Sequence, residues 1–290
     1  MNARDTLTGV AGELGRAGVD APDVEAEILV SAVLGLLDAP RLELVRAGDR
    51  ELSTAQARTL ATLILRRISG EPVQYVVRRA WFRDLTLEVG PGVLIPRPET
   101  EVLAGEVIAW LAHRTGRAQV LDVGTGSGAI ALAVAAECQA ARVVGTDVSP
   151  DALKIARRNR DRVEASFPGT AGRVALVCAD GFGTLRARFE VVVSNPPYVS
   201  EANAATLPRE VRGHEPAVAL FAADRGLSVL ERLIREAPHH LSPGGLLALE
   251  VGDGQAGTVH ERIAALEAYR DARVVKDLAG RERVVLAERV

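Results

Sequence analysis

A chain of 290 residues with 48% apolar side chains has material for one large core or two modest ones, and 14 Pro and 27 Gly without a fixed-period repeat exclude the disordered, fibrous and collagen-like classes. Its formal charge of −3, from 35 basic against 38 acidic side chains, gives no positive field large enough to hold a phosphate backbone, so nucleic acid is not the expected partner. The opening MNARDTLTGVAGELG lacks the basic-then-apolar pattern of an export signal, and the purest apolar run, 129–136, is too short to span a bilayer. A cytoplasmic protein without a membrane partner is expected.

In chain order, residues 1–72 carry helical periodicity alone. Leu7, Val10, Ala11 and Leu14 recur at three- and four-residue steps, as do Val24, Ile28, Ala32 and Leu36. Ser53 and Gln56 have capping-box spacing ahead of Leu60, Leu63 and Ile64, which starts a helix that stops before Gly70. This segment, with 8 basic and 11 acidic residues, reads as a small helical domain and not as a basic platform. From Pro72 the pattern turns β-rich at 73–77 and 85–89, so 73–95 is predicted to be a β-hairpin linker in which Trp81 and Phe82 are either exposed anchors for a protein substrate or, the favoured reading, packed between domains.

After Pro96 and Pro98 the spacing predicts a helix over 99–113, a strand over 118–123 and, beyond a glycine-rich turn, a helix over 129–138. Strands near 142–147, 173–178, 190–194 and 246–251 alternate with helices at 151–163 and 227–237, which implies a parallel, doubly wound α/β sheet filling 96–290. The runs 272–276 and 282–287 fit a closing antiparallel pair. Cys138 and Cys178 lie in apolar runs and are expected as buried structural thiols. Neither they nor His113, His214, His239, His240 and His260 have ligand spacing, so no metal is expected, and His239 and His240 fall just past a helix end.

Two motifs carry chemistry, and both end strands, where ligands bind in such sheets. In Asp122-Val123-Gly124-Thr125-Gly126-Ser127-Gly128 the glycines allow a tight turn and close backbone approach to a ligand. Gly124, Gly126 and Ala129 also satisfy the looser dinucleotide pattern G-x-G-x-x-A, which keeps a nicotinamide or flavin enzyme in view. Asp122 tilts the choice: its carboxylate would repel a pyrophosphate and attract the ammonium and sulfonium of S-adenosylmethionine. Asp147, ending the next strand, can accept from both ribose hydroxyls in either cofactor class.

The second motif, Asn195-Pro196-Pro197-Tyr198, follows the apolar strand 191–193. An amide nitrogen is a poor nucleophile, and a site that accepts both of its N–H groups can aim its lone pair at a methyl group. The Asn195 side-chain oxygen and the Pro196 carbonyl supply two acceptors, the prolines fix the backbone, and Tyr198 would stack on the planar group. Such a scheme needs no strong general base, because the nitrogen becomes acidic only as the methyl arrives.

These motifs, with Gly70-Glu71-Pro72, Leu94-Ile95-Pro96-Arg97-Pro98-Glu99-Thr100-Glu101, His214-Glu215-Pro216 and Glu282-Arg283-Val284, resemble the N5-glutamine methyltransferases of the PrmC (HemK) type over nearly the whole chain. The resemblance implies a class I, Rossmann-like methyltransferase sheet with a small N-terminal helical domain joined by a β-hairpin. It implies S-adenosyl-L-methionine as donor, S-adenosyl-L-homocysteine as product, and the glutamine of the GGQ loop of peptide-chain release factors as target, with a monomer expected. Gly124 to Gly128, Asp147 and Asn195 would contact the donor, and Asn195 to Tyr198 would receive the carboxamide. Asp180 could accept from the adenine amino group, with Gly181 contributing backbone alone; the family often has an aromatic residue where this chain has Gly181 and then Phe182. Arg97 would orient the loop over the cofactor or pair with Glu99 or Glu101. The rivals are a ribosomal-protein glutamine methyltransferase, which shares NPPY; an adenine N6 methyltransferase, disfavoured by charge; and a non-catalytic binding module, disfavoured by the intact NPPY.

Overall fold

A computed structural model of the chain describes residues 2–37, 44, 46–183 and 185–290. The chain divides into two compact units, one running to Arg79 and including Pro208–His214, the other Ala80–Leu207 with Glu215–Val290.

The first unit is helical: α1 (Ala3–Arg16), α2 (Pro22–Leu34), α3 (Thr54–Ile68) and the short α4 (Val73–Val77). Local signals set the ends. Asn2 caps α1 by accepting from the Asp5 N–H, Pro22 opens α2, and Gly35 in the left-handed region closes it. The Ser53/Gln56 capping box forms as its spacing predicts, with both reciprocal bonds present. Val10, Leu14, Leu29, Val30, Leu60, Ile64, Val73 and Val76 share one core. Buried Arg67 joins Glu25 of α2 to Glu210, 3.0 Å away in the helical turn Arg209–His214, so that excursion from the second half of the chain belongs to the helical unit.

The strand expected over 73–77 is α4 instead. Five residues, four of them apolar, are too few for periodicity to decide, and here the Pro72 carbonyl accepts from the N–H groups of Tyr75 and Val76 while Val73 and Val76 turn to the core one helical step apart. Arg78, at φ 57°, ends the turn.

In the second unit the predicted hairpin is shorter than expected: β1 (Ala80–Phe82) pairs antiparallel with β2 (Leu85–Leu87). Its apolar face, Phe82, Leu85 and Leu87, is buried in the same core as Leu103, Val107 and Leu132, so Phe82 packs within the α/β unit. Then follow α5 (Pro98–Ala112), β3 (Ala118–Val123), α6 (Ala129–Glu137), β4 (Ala141–Asp147), α7 (Pro150–Ser166), β5 (Val174–Cys178), β6 (Phe189–Ser194), α8 (Ser228–His240), β7 (Leu241–Glu250), α9 (Ala256–Ala264), β8 (Tyr269–Lys276) and β9 (Glu282–Arg289). Among the described residues the sheet has seven strands in the order β5-β4-β3-β6-β7-β9-β8.

The strands from β5 to β7 run parallel, and β9 is antiparallel to both β7 and β8, which realises the closing pair. The chain leaves β3 toward β4 on one side while β6 pairs on the other, so the order reverses at β3/β6 and opens a crevice at their carboxyl ends. α6 is buried from Ala129 to Ala135 and shows no polar face, as an apolar helix under a sheet must. His239 and His240 lie in the last turn of α8 and not beyond it, with Leu241 opening β7 directly. Cys138 is half-buried and Cys178, on the strand that ends the sheet among the described residues, is exposed, both free, so the expectation of two buried thiols is met in part at Cys138 and fails at Cys178.

Candidate active site

Between β3 and α6, Gly124, Gly126 and Gly128 take φ values of 74°, 54° and 84°, a left-handed series that only glycine adopts without strain. The turn is pinned from beneath. The N–H groups of Gly124 and Thr125 both donate to the Thr146 carbonyl at 2.8 Å. The Gly126 N–H donates to Asp147 Oδ2 at 2.8 Å, and the other Asp147 oxygen accepts from the Ser149 N–H at 2.8 Å. Asn159 of α7 adds a third fastening, donating to the Ser127 carbonyl at 2.9 Å and bonding the backbone of Glu88.

Asp122 is fully buried, and it is not among the residues lining the cleft. Its Oδ2 accepts from Thr125 Oγ1 at 2.6 Å and from the Ala131 N–H at 3.2 Å, tying the turn to the first turn of α6, while Oδ1 has no partner. Burial raises its carboxyl to about 7 against these two bonds, with the charge of Asp147 adding to the rise. Its bonds make Asp122 a fastener beneath the turn, set behind the cleft lining and not on it, where the sequence had it as a charge facing the ligand. Gly128 also stands outside the cleft lining: a Cβ there would come within 3.2 Å of Leu132 and 3.4 Å of Ala156, so this glycine serves helix packing.

The second motif leaves β6 beside that turn, with Ser194 opposite Val123 in register and its Oγ donating to the Val123 carbonyl at 2.7 Å. Asn195 Nδ2 donates to Thr100 Oγ1 of α5 at 2.9 Å. Asn195, Pro196 and Pro197 face the cleft and Tyr198 does not. The Tyr198 ring covers Gly252, where a Cβ would stand 3.0 Å away, and its hydroxyl donates to Glu250 Oε1 at 3.2 Å. Burial, and then the Glu250 charge, push the Tyr198 phenol well above its ordinary value. Tyr198 therefore packs on Gly252 and Glu250 in this structure, outside the cleft lining where its stacking was expected.

The loop's exit is held by residues the sequence did not single out. Gln255 Nε2 donates to the Tyr198 carbonyl at 3.0 Å, and Gly226, at φ 86°, lies so close beneath that carbonyl that a Cβ would stand 2.0 Å from it. Asp224 and Arg225 also take positive φ to deliver Gly226 there.

Turn and loop open into one cleft of about 330 Å3, within the range of small-molecule sites. Gly124 to Ser127, Asp147 and Val148 form one wall, Asn195 to Pro197 another, and Gly92 to Leu94 with Pro96 a third. That third segment is fastened by Arg97, which pairs with buried Glu215 while Glu215 Oε2 accepts from the Ile95 N–H at 3.3 Å. Arg97 thus ties the loop down, as one reading had it, but its partner is Glu215 and not Glu99 or Glu101. Asp180 and Gly181 line the far end, where the Asp180 carboxylate is held by Arg232 at 2.8 Å. Phe182 is buried and stacks on His240 at 4.5 Å, away from the cleft. Glu250 was the missed residue with a signal: a lone acid ending the apolar run Leu246 to Leu249.

A mostly parallel sheet whose glycine turn, following acidic residue and second strand-end loop share one cleft at the switch point is that of a nucleotide-cofactor enzyme. Two family models match the chain and set the class as a methyltransferase: "PrmC N-terminal domain" over residues 5–77 and "Methyltransferase small domain" over 104–210. The chain is 42% identical to the release factor glutamine methyltransferase of Gloeobacter violaceus over 92% of its own length and 91% of that protein's. With the one of Moorella thermoacetica it shares 40% identity over 100% and 99%. The chain belongs to the release factor glutamine methyltransferase family. Among solved structures, a methyltransferase from Pyrococcus furiosus (TM-score 0.50, 22% identity, 82% of this chain and 98% of that one) and the hMettl16 catalytic domain (TM-score 0.56, 15%, 81% and 82%) share the fold.

Proposed function

We propose that the protein transfers a methyl group from S-adenosyl-L-methionine to the side-chain amide nitrogen of the glutamine in the GGQ motif of peptide-chain release factors. The observation that carries this is Asn195: Thr100 holds its Nδ2, which leaves Oδ1 as an acceptor on the wall of the cleft that the glycine turn also lines. The residues present fit the donor, since a cleft of this size is lined at one end by the close-approaching glycine turn Gly124 to Ser127 and by a carboxylate with spare lone pairs, Asp147.

When bound, the donor supplies an electrophilic methyl group on a positively charged sulfur. The chain's own work is positional. Asp147 accepts from ribose hydroxyls, and at the rim Asp180, with Oδ1 on Arg232 and further lone pairs to spare, accepts from the adenine amino group while Gly181 contributes backbone alone. Asn195 Oδ1 and the Pro196 carbonyl accept the two N–H groups of the glutamine carboxamide, and Pro196 and Pro197 keep those acceptors from wandering. As the nitrogen gains positive charge its N–H bonds to these oxygens strengthen, which favours the transition state over the ground state; the methylated nitrogen then gives up one of its two protons to solvent, with S-adenosyl-L-homocysteine as the leaving product.

On the same reading the helical unit recognises the protein substrate, the enzyme acts as a cytoplasmic monomer, and neither a metal nor nucleic acid takes part. Mass spectrometry of release factor incubated with the protein and S-adenosylmethionine tests the reading. One added methyl on the GGQ glutamine, lost in Asn195→Ala, is expected; a release factor left unmodified by the wild-type protein overturns it.

A further inference from the structure

The far rim of the cleft carries a clamp that methyl transfer does not itself call on. Arg232 of α8 donates from Nη1 to Asp180 Oδ1 at 2.8 Å and from Nη2 to the Asp180 carbonyl at 3.3 Å, so one guanidinium holds both the side chain and the backbone of that residue. Its Nε donates to Glu236 Oε1, one helical turn on, at 3.0 Å, which holds the guanidinium in turn. Arg232, Asp180 and Gly181 all line the cleft. We infer that Arg232 is a positioning residue that sets the Asp180 carboxylate to read the adenine amino group, and so makes the site selective for an amino-bearing purine. The inference rests on the proposed role of Asp180 as acceptor from that amino group.

A carboxylate on its own aims poorly. Its terminal torsion has only broad, two-fold preferences, and the Asp180 side chain is 73% exposed, so unheld it would sweep both oxygens over a wide arc. A donor on Oδ1 stops that rotation only if the donor is fixed to the same backbone, which the Nη2 bond to the Asp180 carbonyl achieves. Oδ2 is then the acceptor that Asp180 offers to a ligand. Gly181 makes room for the clamp. A Cβ there would stand 3.2 Å from Nη2, 3.4 Å from Cζ and 3.8 Å from Nε, distances so nearly equal that the point lies over the flat face of the guanidinium and not beyond an edge. A side chain at this position would therefore crowd Arg232. The Gly181 carbonyl accepts from Thr146 Oγ1 at 3.0 Å, which anchors this stretch of backbone to β4. Exposed ion pairs add little to folding stability, so the effect of the clamp belongs in the choice of ligand.

Calorimetric binding of S-adenosylhomocysteine and of its deamino analogue, in which hydrogen replaces the adenine amino group, tests this on wild type, Arg232→Met and Arg232→Lys. Wild type is expected to prefer the amino ligand by about tenfold or more, the scale of a hydrogen bond to a charged group. Arg232→Met should lose most of that preference by weakening the amino ligand alone, with the analogue bound as by wild type and the melting temperature of the free protein nearly unchanged. Arg232→Lys, which keeps the charge and loses the fork, should fall between them. A preference retained in Arg232→Met overturns the inference. So does an equal loss on both ligands, which would make Arg232 a direct contact to a part they share or a support of the fold, and so does a wild type that binds both ligands equally. A wild type that binds neither ligand overturns the donor assignment and this inference together. Arg232-dependent discrimination in a protein that leaves release factor unmethylated supports the inference and overturns the substrate reading alone.

Discussion

The glycine turn and the Asn195 loop end neighbouring strands of one sheet, yet they are held differently. The turn is fastened partly within its own motif, Asp122 to Thr125 and Ala131, and partly by the next strand and helix, through Thr146, Asp147 and Asn159. The loop is fastened from afar, by Thr100, Gln255 and Gly226, which lie tens of residues away. A locally held loop writes its restraints into a short motif. A remotely held loop writes only its own reactive residues there, and its supports look like ordinary positions elsewhere in the chain. The contrast says where single substitutions should do most damage to the site: at the remote supports.

The largest effect is expected at Gly226. Gly226→Ala asks for positive φ from an L-residue and drives a Cβ to 2.0 Å from the Tyr198 carbonyl, so the backbone of one loop must move. A loss of about 3 kcal/mol or more is expected, at the upper end of single substitutions. Denaturant unfolding beside Gly124→Ala measures it. Gly124 also has positive φ, but a Cβ there would meet nothing within 4 Å, so its variant should lose less stability. Equal losses would remove the asymmetry between the two loops.

Next comes Arg97. Arg97→Met removes one of the partners of Glu215, which is 6% exposed, and breaking a buried ion pair costs at most about 3–5 kcal/mol. Adding Glu215→Gln should recover most of that, since the neutral amide keeps an oxygen for the Ile95 N–H. A double-mutant cycle in urea checks the coupling. Recovery with S-adenosylhomocysteine binding still weakened would show that the pair orders the third wall of the cleft as well as stabilising the fold.

The same contrast explains what the sequence disclosed. The alternating elements, the antiparallel closing pair, the capping box at Ser53 and the two strand-end motifs were legible because each rests on a local period or spacing. Helix α4 was not, because Val73, Tyr75 and Val76 are β-formers whose burial overrides propensity. Nor was the work of Asp122 and Tyr198. Their types suit a ligand, but whether a carboxylate faces a cleft or lies beneath the turn beside it depends on the height of the α6 N-terminus, and no spacing reports that. Arg97 showed its charge and its rigid setting, while its partner stands in a motif more than a hundred residues on.

The smallest expected effect tests the locally held turn through its pH dependence. Asp122 rises from an ordinary carboxylate value of 3.8 to about 7 in the folded protein, first because it is buried. Between those two values the folded state keeps a proton that the unfolded chain has released, so the stabilising effect of protonation is complete below about 4 and is lost as pH rises through 7. Asp122→Asn, neutral throughout, removes this dependence. Relative to the variant, the wild-type melting temperature should therefore fall by several degrees from pH 5 to pH 8, following a cost of about 2–4 kcal/mol. Glu250, raised to about 7 by burial with Glu99 adding and Arg283 opposing, keeps a similar slope in both proteins and cancels in the difference. A pH-independent difference between the two melting curves would mean that Asp122 is ionised across the range. The turn would then carry a buried charge a few residues from the cleft, and the attraction for a cationic ligand first read from the sequence would regain its force.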